Sequence, residues 1–137
     1  MLLCACGSKS DQIVNTTEVT FPNGEKVIAE TMLRDIDQMR GMMFRDSLAK
    51  DHGMLFVHTA EENHPYWMYQ VRIPLDIVWM SHDRRIVEIS ANTPPCPSTA
   101  AHECPEFGGH EKSRYVLELA GGAAARYGLK VGETLSF

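Results

Sequence analysis

The run Leu75-Asp76-Ile77-Val78-Trp79-Met80 sets one carboxylate among apolar residues and has the length of a buried β-strand. It is followed by Ser81-His82-Asp83, which is typical of a turn, and then by a second β-rich run, Arg85-Ile86-Val87-Glu88-Ile89. Two such runs around a short polar turn predict a β-hairpin. This hairpin, in the second half of the chain, favours a fold built mainly from strands.

Similar patterns extend outward from this hairpin in both directions. Asn23-Gly24 separates two β-rich runs, at residues 19–21 and 27–29, and predicts a first hairpin because both turn residues tolerate a positive φ. Further strands are predicted at residues 53–57, 66–69, 115–119 and 134–137, a short helix at 35–40, and a helical turn at 122–127. These elements predict a mainly β protein, a single compact barrel-like or sandwich-like domain with one or two short helices.

Length and charge limit the protein classes that fit. The chain has 137 residues, enough for one domain with a real core, which we place at residues 18–137. Its net charge of −5 argues against nucleic acid as a partner, because phosphate binding depends on a basic surface. We expect a monomer with a small-molecule or protein partner whose identity the sequence does not give.

The first residues indicate where the protein is located. Leu3-Cys4-Ala5-Cys6 resembles the lipobox of a bacterial lipoprotein, with residues 1–5 as a signal-peptide remnant and Cys6 as the lipid-bearing residue. Residues 6–17 would then be the lipidated end and a flexible tether. Gly7, which is not Asp, favours the outer membrane in a Gram-negative cell. We therefore expect a membrane-anchored protein on the periplasmic face of the cell envelope; the alternative is a cytosolic protein with two incidental cysteines.

Several motifs in order resemble one family, domain of unknown function 192, which comprises small bacterial and archaeal envelope proteins. The motifs are Arg40-Gly41-Met42-Met43-Phe44-Arg45, Gly53-Met54-Leu55-Phe56, Trp67-Met68, Ile73-Pro74-Leu75-Asp76-Ile77 and Val116-Leu117-Glu118-Leu119-Ala120-Gly121. The resemblance implies a compact β-rich barrel-like domain and an envelope location, and it implies no reaction. Tyr69 and Gln70 stand where the family usually has Lys and Asn, so no ligand-binding role of that Lys or Asn is carried over.

Asp76 is the first candidate for a site. A buried carboxylate is costly unless it is paired or accepts hydrogen bonds, so we expect a structural anchor that meets Arg45, Arg72 or the backbone N–H groups of the preceding Pro74 turn. The alternative is a functional carboxylate in a pocket around Arg45, Trp67 and Asp76. Strand aromatics such as Trp67 are mostly core residues, but they also line grooves.

Cys96 and Cys104 lie in one proline-rich loop together with His102 and His110. In an oxidising envelope, two nearby cysteines favour a disulfide. Zinc bound by the four side chains and free or redox-active thiols remain alternatives, although structural zinc sites usually have cysteines at closer spacing.

No further motif indicates a metal, a cofactor or catalytic residues. The methionines and histidines suggest a copper carrier, but Met39, Met42, Met43, Met54, Met68 and Met80 lie on apolar faces where Met fills gaps. Ser81-His82-Asp83 has the residue types of a catalytic triad, yet consecutive turn residues diverge. We therefore predict a lipid-anchored binding or accessory module; the alternatives are an enzyme or ligand-processing protein using the pocket named above, and a periplasmic metal-handling protein.

Overall fold

The computed structural model describes residues 14–137, and the predicted lipidation site, Cys6, lies outside them. The elements are β1 (Thr16–Thr20), β2 (Lys26–Met32), α1 (Asp35–Arg40), β3 (His52–Asn63), β4 (Tyr66–Trp67), β5 (Leu75–Met80), β6 (Ile86–Thr93), β7 (Glu106–Phe107), β8 (Lys112–Ala120) and α2 (Ala123–Arg126). The mainly β class with short helices is therefore confirmed. Neither helix in this part of the chain has the length and hydropathy needed to cross a bilayer.

One six-stranded sheet carries the fold, in the order β1-β2-β3-β8-β5-β6, and β4 and β7 form a small second sheet. The two predicted hairpins are present, with Val19 opposite Val27 and Val78 opposite Ile89. The β2–β3 pair is parallel, and α1 lies in the connection between its strands. This arrangement follows from the general rule that parallel neighbours need a crossover segment.

The sheet separates two hydrophobic cores. Successive strand residues point to opposite faces, so Leu117 and Leu119 enter one core while Val116 enters the other. The first core contains α2 and Leu135, and the second contains Met42, Met54, Met68 and Trp79. Over residues 14–137 the sheet does not close into a barrel, so of the two predicted architectures the sandwich-like one fits.

The C-terminal segment differs from its predicted strand. Thr134 and Ser136 make isolated bridges to Arg85 and Thr20, while Leu135 packs into the first core. The segment therefore lies between β1 and the start of β6 without forming a regular strand. A single bridge on each side is too short for a continuous ladder of hydrogen bonds.

Gly41 ends α1 and sets the direction of the following turn. Its φ of 43° lies in the region that L side chains rarely adopt, and an added Cβ would come within 3.2 Å of the Phe56 ring. The turn therefore brings Met42 down onto the second face of the sheet, where it is buried.

Candidate functional site

A cleft of about 150 Å³ lies between the α1 turn and the second face of the sheet. Phe56 and His58 of β3, Tyr66 and Trp67 of β4, and Glu118 of β8 form much of its wall. The other lining residues are Gln38, Met39, Arg40, Gly41, Met42, Met43, Pro65, Tyr69 and Val71. The wall is largely aromatic and thioether in character, with few polar groups, as is usual for small-molecule sites.

Glu118 is the polar group that distinguishes this wall. It lies opposite Met54 and Ile77 in the sheet, and it is 5% exposed. Its Oε2 has no hydrogen-bond partner among the described residues. Ser113 Oγ and Glu133 Oε1 share that property, but neither residue lines the cleft. A buried, unpaired carboxylate oxygen is costly, so its position at a cleft marks a candidate binding group.

Burial raises the pKa of Glu118 to about 8, and the nearby positive charge of Arg45 only partly opposes this. Arg45 is engaged elsewhere, because its guanidinium makes two hydrogen bonds of 2.7 and 2.8 Å to the Glu30 carboxylate. That ion pair lowers the pKa of Glu30. At neutral pH, Glu118 is therefore mostly protonated and able to donate as well as to accept a hydrogen bond.

Two uncharged polar groups, the His58 imidazole and the Tyr66 hydroxyl, line the cleft together with Glu118. His58 Nε2 and the Tyr66 hydroxyl are hydrogen-bonded at 2.8 Å, and the His58 ring stacks on His64 with centroids 3.7 Å apart. Burial, helped by the charge of His64, lowers the pKa of His58 to about 4. Burial and the Glu118 carboxylate also raise the pKa of Tyr66. Both groups are therefore neutral at pH 7.

Exposed apolar side chains surround the mouth of the cleft. Ile36, Met39, Phe44 and Trp67 are 54%, 63%, 57% and 38% exposed, respectively. Together with Arg40, Met43 and Tyr69 they line a shallow hollow of about 310 Å³ that shares residues with the cleft. Most soluble proteins expose apolar residues singly, whereas here they form one contiguous apolar surface, which is typical of an interaction or ligand-binding site.

The pocket predicted around Arg45, Trp67 and Asp76 is not formed as such. Trp67 lies at the rim of the cleft, and Arg45 lies in a neighbouring charged groove with Glu30. Asp76 lies opposite Leu119, on the other face of the sheet, and is fully buried. Successive strand residues point to opposite faces, so Asp76 points away from the cleft. Ile77 and Glu118 point to the face on which the cleft lies.

The anchor expected at Asp76 is formed by backbone N–H groups, but these belong to β6 and the start of α2 and not to the Pro74 turn, and neither Arg45 nor Arg72 meets the carboxylate. Oδ1 accepts from the N–H groups of Asn92 at 2.7 Å and Gly122 at 3.1 Å, and Oδ2 accepts from Ala124 at 2.7 Å. Arg72 pairs instead with Asp46 at 2.8 Å. Asp76 therefore ties its own strand, β5, to the end of β6 and to the start of α2.

The Cys96 and Cys104 sulfurs form a disulfide, with an S–S distance of 2.06 Å and Cα atoms 5.5 Å apart. The disulfide uses both sulfurs, so in this structure neither cysteine is a free thiol or a zinc ligand. His110 bonds to Glu88 at 2.6 Å, and the hydrogen bond raises the pKa of His110. The loop packs behind the cleft, because β7 pairs with β4 and the Cys96 N–H donates to the Met68 carbonyl at 3.2 Å.

The other candidate groups divide between core and surface. Met42, Met54, Met68 and Met80 are buried, and Met42 also lines the cleft together with Met39 and Met43. His82 bonds to Glu61, and Ser81 bonds to Asp83, so these turn residues do not act in series. Within residues 14–137, no three His, Cys, Asp or Glu side chains converge as metal ligands would.

Sequence reasoning missed Glu118, His58 and Tyr66. Glu118 carried a usable signal, since it is a single acid in an apolar strand run, the same pattern that drew attention to Asp76. His58 and Tyr66 carried none, because their pairing depends on how β3 and β4 are placed in space.

The comparisons with known proteins agree on the fold and give no activity. The DUF192 family model, whose description is "Uncharacterized ACR", matches residues 18–137. A solved structure of a protein of unknown function from Novosphingobium aromaticivorans is 30% identical, with a TM-score of 0.74, covering 90% of this chain and 85% of that chain. A Sinorhizobium meliloti structure named as a candidate transcription regulator is 27% identical, with a TM-score of 0.79, covering 90% and 94%. Among curated proteins, none matches this chain significantly.

Proposed function

This chain belongs to the DUF192 family, and from that premise we propose that it is a lipid-anchored envelope protein whose Glu118 cleft binds a small, largely apolar ligand. The observation that carries the binding proposal is the buried Oε2 of Glu118, which has no partner among the described residues and belongs to a cleft wall. Native proteins pair nearly all buried polar atoms, so an unpaired carboxylate at a cleft is best explained by a ligand that completes it.

The surroundings of Glu118 support binding over catalysis. His58 and Tyr66 are neutral and hydrogen-bonded to one another, so they offer polar contacts without a charged nucleophile–base pair. The apolar mouth gives a ligand a route from solvent into the cleft. The size fits a small molecule, because a cavity of about 150 Å³ in another protein is known to bind benzene.

The anchoring part of the proposal rests on the sequence. The lipobox-like Leu3-Cys4-Ala5-Cys6 precedes the first described strand, β1, by about ten residues. The net charge of −5 gives no reason to carry over the regulator description of the Sinorhizobium protein, since DNA binding depends on basic surfaces.

Calorimetric titration with benzyl alcohol tests the cleft. Val71 lines the cleft and is 8% exposed, so Val71→Phe should fill it and weaken binding. Val131→Phe is the matched control, because Val131 is 62% exposed and does not line the cleft. Equal binding by the two variants, or no binding by the parent chain, would contradict the proposal.

A further inference from the structure

The open question about the cleft is which chemical group completes Glu118. Within residues 14–137, no Lys, Arg or His nitrogen forms a salt bridge with Glu118, although the carboxyl is buried. Arg45 is the cation whose charge reaches Glu118, and both of its terminal nitrogens bond to Glu30. The described residues therefore offer no countercharge to the ionised form of Glu118, and a cationic ligand would favour that form over the protonated one.

The cleft wall favours a positive charge for a second, independent reason. Phe56, Tyr66, Trp67 and Tyr69 all line the cleft, with ring centroids 5.2 Å apart for Phe56–Tyr66 and for Trp67–Tyr69. Aromatic faces attract cations through the quadrupole of the ring, and alkylammonium ligands are the usual beneficiaries. An anion would meet neither a free cation at the inner wall nor a favourable ring face.

The other charged and titratable groups around Glu118 are compatible with a positively charged ligand at the inner wall. His58 on β3 and Tyr66 on β4 are neutral at pH 7, and β5 contributes the apolar Ile77 opposite Glu118. Arg40 lines the cleft from the α1 side, and Arg45 is held by Glu30. The inner wall therefore presents one acid and the α1 side one cation.

Resting on the proposed binding function, we infer that the cleft takes a small organic ammonium ion, with its nitrogen on the Glu118 carboxylate and a compact apolar body among the aromatic rings. A charge-assisted hydrogen bond of this kind is roughly twice as strong as the neutral one that an alcohol offers. The apolar body is about the size of one phenyl ring, which a cavity of about 150 Å³ accommodates.

Calorimetric titration of the purified 137-residue chain with three matched probes tests this inference: benzylamine, benzyl alcohol and benzoate. At pH 8 we expect benzylamine to bind about tenfold more tightly than benzyl alcohol, and benzoate not to bind. Glu118→Gln should remove that advantage, because the amide cannot carry the negative charge that pairs with the ammonium group. Glu25→Gln, the same substitution in the exposed β1–β2 turn, should leave the binding of all three probes unaffected.

The pH dependence of the unmodified chain gives a second test that needs no variant. Binding of an ammonium ion displaces the Glu118 proton, so benzylamine affinity should rise between pH 6 and pH 8 while benzyl alcohol affinity stays level. If benzyl alcohol or benzoate binds as tightly as benzylamine, the ammonium class is wrong and the binding cleft stands. If no probe binds, the proposed function itself fails.

Discussion

Asp76 and Glu118 lie on adjacent strands and on opposite faces of one sheet. Asp76 pairs in register with Leu119, and Glu118 with Ile77. The Asp76 carboxylate accepts three backbone hydrogen bonds, whereas Oε2 of Glu118 has no partner within residues 14–137. The two buried acids therefore differ in kind: one is satisfied by the fold, and the other is available to a ligand.

Asp76→Ala should destabilise the protein by about 2–4 kcal/mol, because the variant leaves one buried and two partly buried N–H groups without their acceptor. Asp76→Asn should cost less, since the amide keeps the shape and one acceptor oxygen. Urea denaturation at pH 7 gives both values, with the exposed Glu25→Gln as a control. If both Asp76 variants unfold at the urea concentration of the parent, the anchoring role is wrong.

Glu118 should make stability fall as the pH rises. Its folded pKa of about 8 lies above the ordinary value of 4.5, so its contribution is complete below 4.5 and is lost progressively up to about pH 8. His58 acts in the opposite sense, and only below pH 6.5, because its folded pKa is lowered to about 4. Between pH 6.5 and 8 we therefore expect the Glu118 contribution to fall by up to about 1.4 kcal/mol per pH unit.

Comparison with Glu118→Gln isolates this effect. The amide does not titrate. The free energy of unfolding of the variant minus that of the parent should therefore increase between pH 6.5 and 8. Urea denaturation at several pH values measures this difference. The raised pKa of His110 also makes stability depend on pH, but its contribution is the same in both chains and cancels. A constant difference across this range would mean that the Glu118 pKa is close to its ordinary value.

The hairpins, α1 and the disulfide were accessible from the sequence because each depends on nearby residues. Asn23-Gly24, the helix stop at Gly41 and the Cys96–Cys104 spacing are local signals. The donors of Asp76 were not accessible as individual groups, because they lie 16, 46 and 48 residues away. The cleft was missed for the same reason, since it forms only when β4, β8 and the α1 turn come together.

The disulfide should stabilise both the domain and the cleft. Replacing Cys96 and Cys104 by Ser should cost roughly 2–3 kcal/mol, because closing a ring of about nine residues restricts the unfolded chain. It should also weaken benzyl alcohol binding, since the loop carries β7, the partner of β4. Calorimetry measures both the melting temperature and the binding.

Thiol titration checks the disulfide directly. In a chain with Cys4 and Cys6 changed to Ala and purified without reductant, we expect no free thiol and no effect of a chelator on melting. Two titratable thiols would contradict the disulfide, and chelator sensitivity in that preparation would favour zinc.

The lipid anchor is predicted at Cys6 and not at Cys4, so changes at the two residues should have different effects. Expressed behind a complete lipoprotein signal in a bacterial host, the protein should appear in the membrane fraction, because a lipoprotein's several acyl chains hold it there stably. Cys6→Ala should accumulate as unprocessed precursor, and Cys4→Ala should behave as the parent. Soluble, correctly processed protein from the Cys6→Ala chain would exclude lipidation at that residue.

Methionine-methyl NMR can detect a ligand bound in the Glu118 cleft, because methionines line its wall. Met42 and Met43 line the cleft, whereas Met80 is fully buried in the core on the other face of the sheet. On titration with benzylamine or benzyl alcohol, we expect saturable shifts of the Met42 and Met43 methyl resonances and no shift of the Met80 resonance. No saturable shift at Met42 and Met43 with either compound, or equal shifts at Met80, would contradict ligand binding in the cleft.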